Sequence, residues 1–113
     1  PIPSRGLGDV YKRQVFGDGV IKIIFTPGHT PGHQSVLVNL PKTGHMLFTG
    51  DACYTGDHWC DKCLPGLVAS ASDAADSVKK LRKVAKDHNA KVVWGHDPVT
   101  WLDWKKAPMF YYD

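Results

Sequence analysis

Three short apolar runs in the first half of the chain alternate with turn residues, a pattern typical of β-strands. The runs cover residues 20–25, 34–40 and 46–49. Residues 15–16 precede the first run across Gly17-Asp18-Gly19, and an Asp-Gly turn between apolar segments predicts a hairpin. Because short loops join the three strands, we expect an antiparallel meander.

The second half of the chain begins with helical periodicity. Apolar residues recur at spacings of three and four over residues 73–88, which predicts a helix. Either Ser70 or Ser72 can cap its start, and Asn89 can end it in the left-handed conformation. Residues 91–94 are expected to form a short buried strand, and the aromatic tail after them to pack as a lid or edge. The predicted class is α/β (α+β), with an antiparallel or mixed sheet and one covering helix.

Residues 1–14 show neither a clear helical periodicity nor a clear strand periodicity. Residues 5–14 resemble translated sequencing-adapter sequence, so we expect residues 1–14 to be a non-native scar and exclude them from the fold. The predicted fold therefore occupies residues 15–113, and we expect the natural protein to be longer at its N-terminal end.

Composition narrows the class of protein. The 113 residues are 42% hydrophobic, which is typical of one soluble globular domain or part of one. We expect no membrane association, because no apolar run approaches the roughly 18 residues of a membrane span. The net charge is only +3, and the basic residues of the helix lack interleaved aromatics, so we expect no nucleic-acid partner. Three cysteines and no signal peptide favour the cytoplasm.

Candidate chemistry centres on the loop Thr26-Pro27-Gly28-His29-Thr30-Pro31-Gly32-His33. Two Pro-Gly pairs restrict its backbone, and a rigid loop that holds imidazoles suits a metal. The alternative is that both histidines lie on an exposed turn and have no function. His33 starts a predicted strand, whereas Asp51 and His96 each follow a strand and a Gly. We therefore expect His33, Asp51 and His96 to converge at one rim of the sheet.

These motifs resemble those of a known family. Thr-Pro-Gly-His-Thr-Pro-Gly-His33, Phe-Thr-Gly-Asp51 and Trp-Gly-His96 are similar to the third, fourth and fifth metal-binding motifs of the metallo-β-lactamase-fold hydrolases. The segments around Tyr54, Leu64–Val68 and Gly95-His-Asp-Pro98 resemble the N-acyl-homoserine lactonase branch. The resemblance implies the C-terminal half of an αββα sandwich.

The same resemblance implies site residues and a cofactor. In the family two Zn²⁺ ions are bound, so His33 would bind one, His96 the other, and Asp51 would bridge them. Tyr54 would hydrogen-bond the substrate carbonyl and the developing oxyanion. The family's His-x-His-x-Asp-His motif is missing from the sequence, so we expect this chain to be inactive alone.

The implied activity is hydrolysis of a lactone ring, with an N-acyl-homoserine lactone as the small-molecule substrate, which is a quorum-quenching reaction. One alternative is a hydroxyacylglutathione thioesterase of the same fold; Tyr54 and the segment 64–68 favour the lactonase. Another is a non-catalytic zinc-binding fragment, built on Cys53, His58, Cys60 and Cys63 as a Cys₃His site.

Several residues have competing interpretations. His29 is expected to cap the loop by hydrogen bonds and hold His33 in place, without binding the metal itself. Asp97 either orients His96 or caps a helix or turn. Tyr54 has ordinary packing as its alternative, and Cys53 is expected to be buried in the floor of the site. His45, His58 and His88 are expected to be solvated on turns or at a helix end.

Overall fold

The computed structural model describes residues 11–60 and 68–113, which contain five strands and three helices. The strands are β1 (Tyr11–Gln14), β2 (Ile21–Phe25), β3 (Gln34–Leu40), β4 (Gly44–Gly50) and β5 (Lys91–Trp94). The helices are α1 (Gly56–Trp59), α2 (Ala71–His88) and α3 (Pro98–Asp103). The predicted α/β class with one long covering helix is confirmed; α1 and α3 are additional short helices.

The strands form one mixed sheet in the order β1-β2-β3-β4-β5. Strands β1 to β4 pair antiparallel in sequence order, which confirms the predicted meander. β5 pairs parallel to β4, with Leu47 opposite Val92 and Gly50 opposite Trp94. α2 provides the crossover connection that a parallel pair requires. As a result, β4 and β5 end at the same edge of the sheet.

The first hairpin differs from the prediction. Its outer strand is β1 rather than residues 15–16, and residues 15–20 form the loop. Gly17 and Gly19 adopt positive φ angles of 77° and 80°, and Asp18 Oδ1 accepts the Val20 N–H at 3.0 Å. The chain therefore reverses over a wider loop than a two-residue turn, and pairing starts earlier in the sequence. β1 lies within the segment excluded as a scar; the origin of residues 1–14 stays a prediction, and residues 1–10 lie outside the described part.

α2 begins two residues before the predicted start and is capped as expected. Ser70 Oγ accepts the Asp73 N–H at 3.2 Å, so Ser70 rather than Ser72 is the N-cap. Asn89 ends the helix with φ 50° and ψ 46°, the left-handed conformation. The apolar stripe of α2 packs on one face of the sheet, and the buried core cluster there comprises Ile24, Leu37, Leu47, Ala52, Leu81 and Val84.

The other face of the sheet is also apolar. Val36, Phe48 and Val93 lie opposite one another in register on this face, where Phe48 remains 40% exposed. The aromatic tail folds against one end of the face, with Trp104 and Tyr112 ring centroids 5.5 Å apart, as a packed edge would require. Of the helices in residues 11–60 and 68–113, none is long and apolar enough to cross a membrane.

Candidate metal centre

The topology brings the predicted site residues to one edge of the sheet. Asp51 directly follows β4, and His96 follows β5, so the parallel pairing places them side by side. His33 directly precedes β3, whose start lies beside the end of β4 because those strands are antiparallel. His29 lies in the same β2–β3 loop. The predicted convergence of His33, Asp51 and His96 is therefore present in the fold.

Asp51 is the centre of this cluster. Its Oδ1 lies 2.7 Å from His96 Nε2, and its Oδ2 lies 3.3 Å from His29 Nε2. Its backbone N–H donates to His33 Nε2 at 3.0 Å. The sequence suggested that His29 would only hold the loop in place. The structure instead places His29 in direct contact with the Asp51 carboxylate, with the same ring nitrogen turned inward as in His33 and His96.

A buried chain of hydroxyl groups fixes the His33 ring. His33 Nε2 accepts an N–H, so in the neutral ring Nδ1 carries the proton and donates to Thr26 Oγ1 at 2.9 Å. The Thr26 hydroxyl is hydrogen-bonded to Ser35 Oγ at 2.9 Å. The Ser35 hydroxyl in turn donates to the Thr49 carbonyl at 3.1 Å. Thr26, Ser35 and Thr49 are each at most 1% exposed. The relay directs the Nε2 lone pair of His33 toward Asp51.

The electrostatics favour a neutral His33. Burial is the largest influence and lowers the pKa of its imidazole, against the opposing effects of the Asp51 carboxylate and a hydrogen bond with the Thr26 backbone; the neighbouring His29 lowers the pKa further. The relay is only weakly indicated by sequence patterning, because Thr and Ser at strand ends are commonly surface residues. Its one signal is that Ser35 falls on a core-facing position of β3.

Tyr54 lies against the same cluster. Its hydroxyl is 3.4 Å from His29 Nδ1, and its ring centroid is 4.6 Å from that of His96. Backbone bonds hold the two segments together: Gly95 N–H donates to the Cys53 carbonyl, and His96 N–H to that of Tyr54. Tyr54 is half-buried at the rim of the site.

Asp97 caps α3. Its Oδ1 accepts the N–H groups of Val99 and Thr100, and its Oδ2 accepts that of Gly56 at 3.1 Å. Limited desolvation raises the pKa of this carboxyl, but the three backbone donors outweigh it and the pKa is lowered overall. Of its two predicted roles, the structure therefore shows the cap, which also ties the start of α1 to the loop that carries His96.

The expectation that three other histidines are solvated on turns or helix ends needs correction. His58 is 1% exposed within α1, and its Nδ1 accepts the Tyr54 N–H at 3.1 Å. His45 lies within β4 rather than on a turn, and His45 and His88 are both half-buried against each other. Isolated polar residues carry no periodicity of their own, so only the fold reveals this burial.

The burial predicted for Cys53 is confirmed, but the Cys₃His alternative is not tested. Cys53 is fully buried, as predicted, whereas Cys60 is exposed. Cys63 and residues 64–67 lie outside the described part of the chain, so the Cys₃His alternative stays a prediction.

The donor chemistry of the cluster fits a divalent metal in part. Imidazole nitrogen and carboxylate oxygen are the ligands that zinc takes in mixed sites, and a carboxylate with two oxygens facing two imidazoles suits a bridging position. Across residues 11–60 and 68–113, however, no group of three or more His, Cys, Asp or Glu side chains is arranged to hold an ion by itself. The residues fit one side of a metal centre.

Comparison with known proteins establishes the family. The sequence pattern of the Metallo-beta-lactamase superfamily matches residues 1–96, so the chain belongs to this superfamily. Membership implies binding of a divalent metal.

Individual relatives are N-acyl homoserine lactonases. The chain is 58% identical over 97 residues to the N-acyl homoserine lactonase AttM of Rhizobium radiobacter, which covers 86% of the chain and 37% of that relative. It is 38% identical over 77 residues to an N-acyl homoserine lactonase of Bacillus cereus, covering 68% of the chain and 30% of the relative. The chain thus spans about a third of the length of the relatives it matches.

The fold matches solved lactonase structures. An N-acyl homoserine lactone hydrolase, described with the product N-hexanoyl-L-homoserine at its catalytic metal centre, superposes with a TM-score of 0.77 at 30% identity. The match covers 85% of this chain and 37% of that one. The predicted partial metallo-β-lactamase fold is therefore confirmed.

Proposed function

We propose that the protein to which this chain belongs hydrolyses the ring of an N-acyl homoserine lactone with the help of two zinc ions. The observation that carries the proposal is the set of contacts made by Asp51. Its two carboxylate oxygens face His96 and His29, and its backbone N–H donates to His33. The 58% identity to a lactonase of Rhizobium radiobacter supports the substrate class.

Each site residue has a proposed role. His33 would hold one ion, His96 the other, and Asp51 would bridge them, with the remaining ligands supplied by a part of the protein that this sequence lacks. Zinc ions supply Lewis-acid chemistry and lower the pKa of bound water to about 7 at a single-zinc site. Water adds to the lactone carbonyl carbon, the ring C–O bond breaks, and the released oxygen takes a proton.

Residues of this chain would stabilise the reacting substrate and orient a metal ligand. The Tyr54 hydroxyl lies at the rim of the cluster, where it can donate to the oxygen that gains charge as water adds. The hydroxyl relay through Thr26 keeps Nε2 of His33 directed inward. With three of the proposed ligands present and no His-x-His-x-Asp-His motif in the sequence, we propose that the chain alone is inactive. The odd number of cysteines in the sequence supports the proposed cytoplasmic location.

The test is substrate preference of the intact protein, expressed from the reading frame extended upstream of Val15. We expect opening of N-hexanoyl-L-homoserine lactone, little turnover of an acylglutathione thioester or a β-lactam, and loss of the activity on chelation. Hydrolysis of the thioester in preference to the lactone would assign the alternative hydroxyacylglutathione hydrolase, and no hydrolysis by the metal-loaded protein would overturn both.

A further inference from the structure

A second pair of histidines meets at the opposite end of β4. His45, near the start of β4, and His88, in the last turn of α2, have ring centroids 4.7 Å apart with an interplanar angle of 58°. Asp51 follows the other end of the same strand, six residues and about 20 Å along it at the usual rise. The pair is therefore separate from the candidate metal centre.

The tautomer of His88 is defined by a backbone contact. Its Nδ1 lies 3.0 Å from the carbonyl of Val84, an acceptor only, so Nδ1 carries the proton in the neutral ring and Nε2 carries the lone pair. A ring N–H bonded to a backbone carbonyl, with the other nitrogen as ligand, is the arrangement found for metal-bound histidines.

The separation of the rings matches a shared ion. With zinc–nitrogen bonds of about 2.0–2.1 Å, two imidazoles on one ion at angles between square and tetrahedral have centroids roughly 4.5–5.3 Å apart. The observed 4.7 Å lies in this range. His45 stands opposite Asn39 in the β3–β4 register. Among the described residues, the cation that acts on it is Lys22 of β2, two strands away in the sheet.

We propose that His45 and His88 form a second, two-histidine site for a late first-row divalent ion such as Zn²⁺ or Cu²⁺, with water completing the coordination. Both rings belong to the half of the molecule where α2 covers the sheet, so the site needs nothing from the opposite sheet face. Binding would join the start of β4 to the end of α2. Imidazole is a preferred ligand for these ions, and Cu²⁺ binds most tightly among them.

The experiment titrates the 113-residue chain with Cu²⁺ alone at pH 7.5 and follows nitrogen hyperfine coupling by electron paramagnetic resonance. We expect His45→Gln and His88→Gln each to weaken this site by at least about tenfold, since loss of even an outer partner of a metal ligand costs about 10–100-fold. His96→Gln is the matched control at the first centre and should leave the site intact. Circular dichroism without metal verifies that each variant folds.

A gain-of-affinity variant keeps the proposal testable if either glutamine variant unfolds. Lys22→Met removes a cation that repels the incoming ion, so Cu²⁺ should bind more tightly to it. Unchanged affinity in His45→Gln and His88→Gln, weaker binding in Lys22→Met, or loss of the site in His96→Gln would each overturn the assignment. None of these outcomes depends on lactone hydrolysis.

Discussion

His96 Nε2 lies 2.7 Å from Asp51 Oδ1, although 45 positions separate the two residues in the sequence. The contact follows from the parallel pairing of β4 and β5 across α2, which ends both strands at one edge. Asp51 is also the residue that both His29 and His33 reach. Removing its carboxylate should therefore affect metal binding more than any single histidine.

Asp51→Asn should abolish most of the stabilisation that Zn²⁺ gives through the first centre. An ion that binds the folded state better than the unfolded state raises the melting temperature. In a His45→Gln background, which removes the second proposed site, we expect Zn²⁺ to raise the melting temperature, and this rise to be largely lost when Asp51→Asn is added. Asp76→Asn, an exposed change on α2, is the matched control. Equal shifts in both variants would mean that the cluster does not bind the ion.

Tyr54→Phe in the intact protein should slow turnover of a lactone by about 10²–10³-fold, the usual effect of removing one donor to an oxyanion. The aromatic ring and its 4.6 Å contact with His96 are retained, so zinc content should not change. Steady-state kinetics and metal analysis on the same preparations measure the two quantities. A fall in zinc stoichiometry would contradict the proposed role.

The sequence predicted elements with strong periodicity and local signals. The bounds of β3 and β5, the Ser70 and Asn89 caps and the antiparallel meander were all indicated by patterning. The contact of His29 with Asp51 and the burial of His58 were not, because both depend on how distant segments meet. β1 was missed because its residues, Tyr-Lys-Arg-Gln, have no apolar alternation and lie in the segment that was excluded as a non-native scar.

Thr26→Val should weaken metal binding at His33 while preserving the fold. The change keeps the shape of the side chain but removes the hydroxyl that accepts from His33 Nδ1, and loss of such a partner costs about 10–100-fold in metal affinity. Thr30→Val, in the same loop but exposed, is the control and should bind Zn²⁺ as the wild type does. Calorimetric titration measures both. Identical affinities would show that the relay does not orient the ring.

Gly28→Ala should destabilise the chain by about 1–3 kcal/mol, the usual cost of overpacking. Gly28 has φ +145°, and a Cβ there would overlap the backbone of Ala74 in the first turn of α2. Gly32 belongs to the same loop, but a Cβ there meets nothing within 4 Å. Gly32→Ala is therefore the matched control, expected to unfold at nearly the wild-type urea concentration. Similar midpoints for both variants would contradict the close approach of loop and helix.

His45 should make the free energy of unfolding fall as the pH is lowered. Burial lowers the pKa of His45 from its ordinary value of about 6.5, and the neighbouring His88 and Lys22 lower it further. Below about pH 7 the unfolded chain therefore binds a proton at this position more readily than the folded chain does. The stabilising contribution is complete above the unfolded pKa and is lost as the pH falls through it toward the folded pKa.

His45→Gln removes this titration, so its stability should decline less steeply than that of the wild type between pH 7.5 and 5.5. The pKa of His33 is also lowered, which leaves a slope of the same sign in both proteins. Urea unfolding without added metal, measured at several pH values, gives the two profiles. Parallel profiles would show that His45 has the same proton affinity in the folded and unfolded states, and that the packing of His45 against His88 does not affect its protonation.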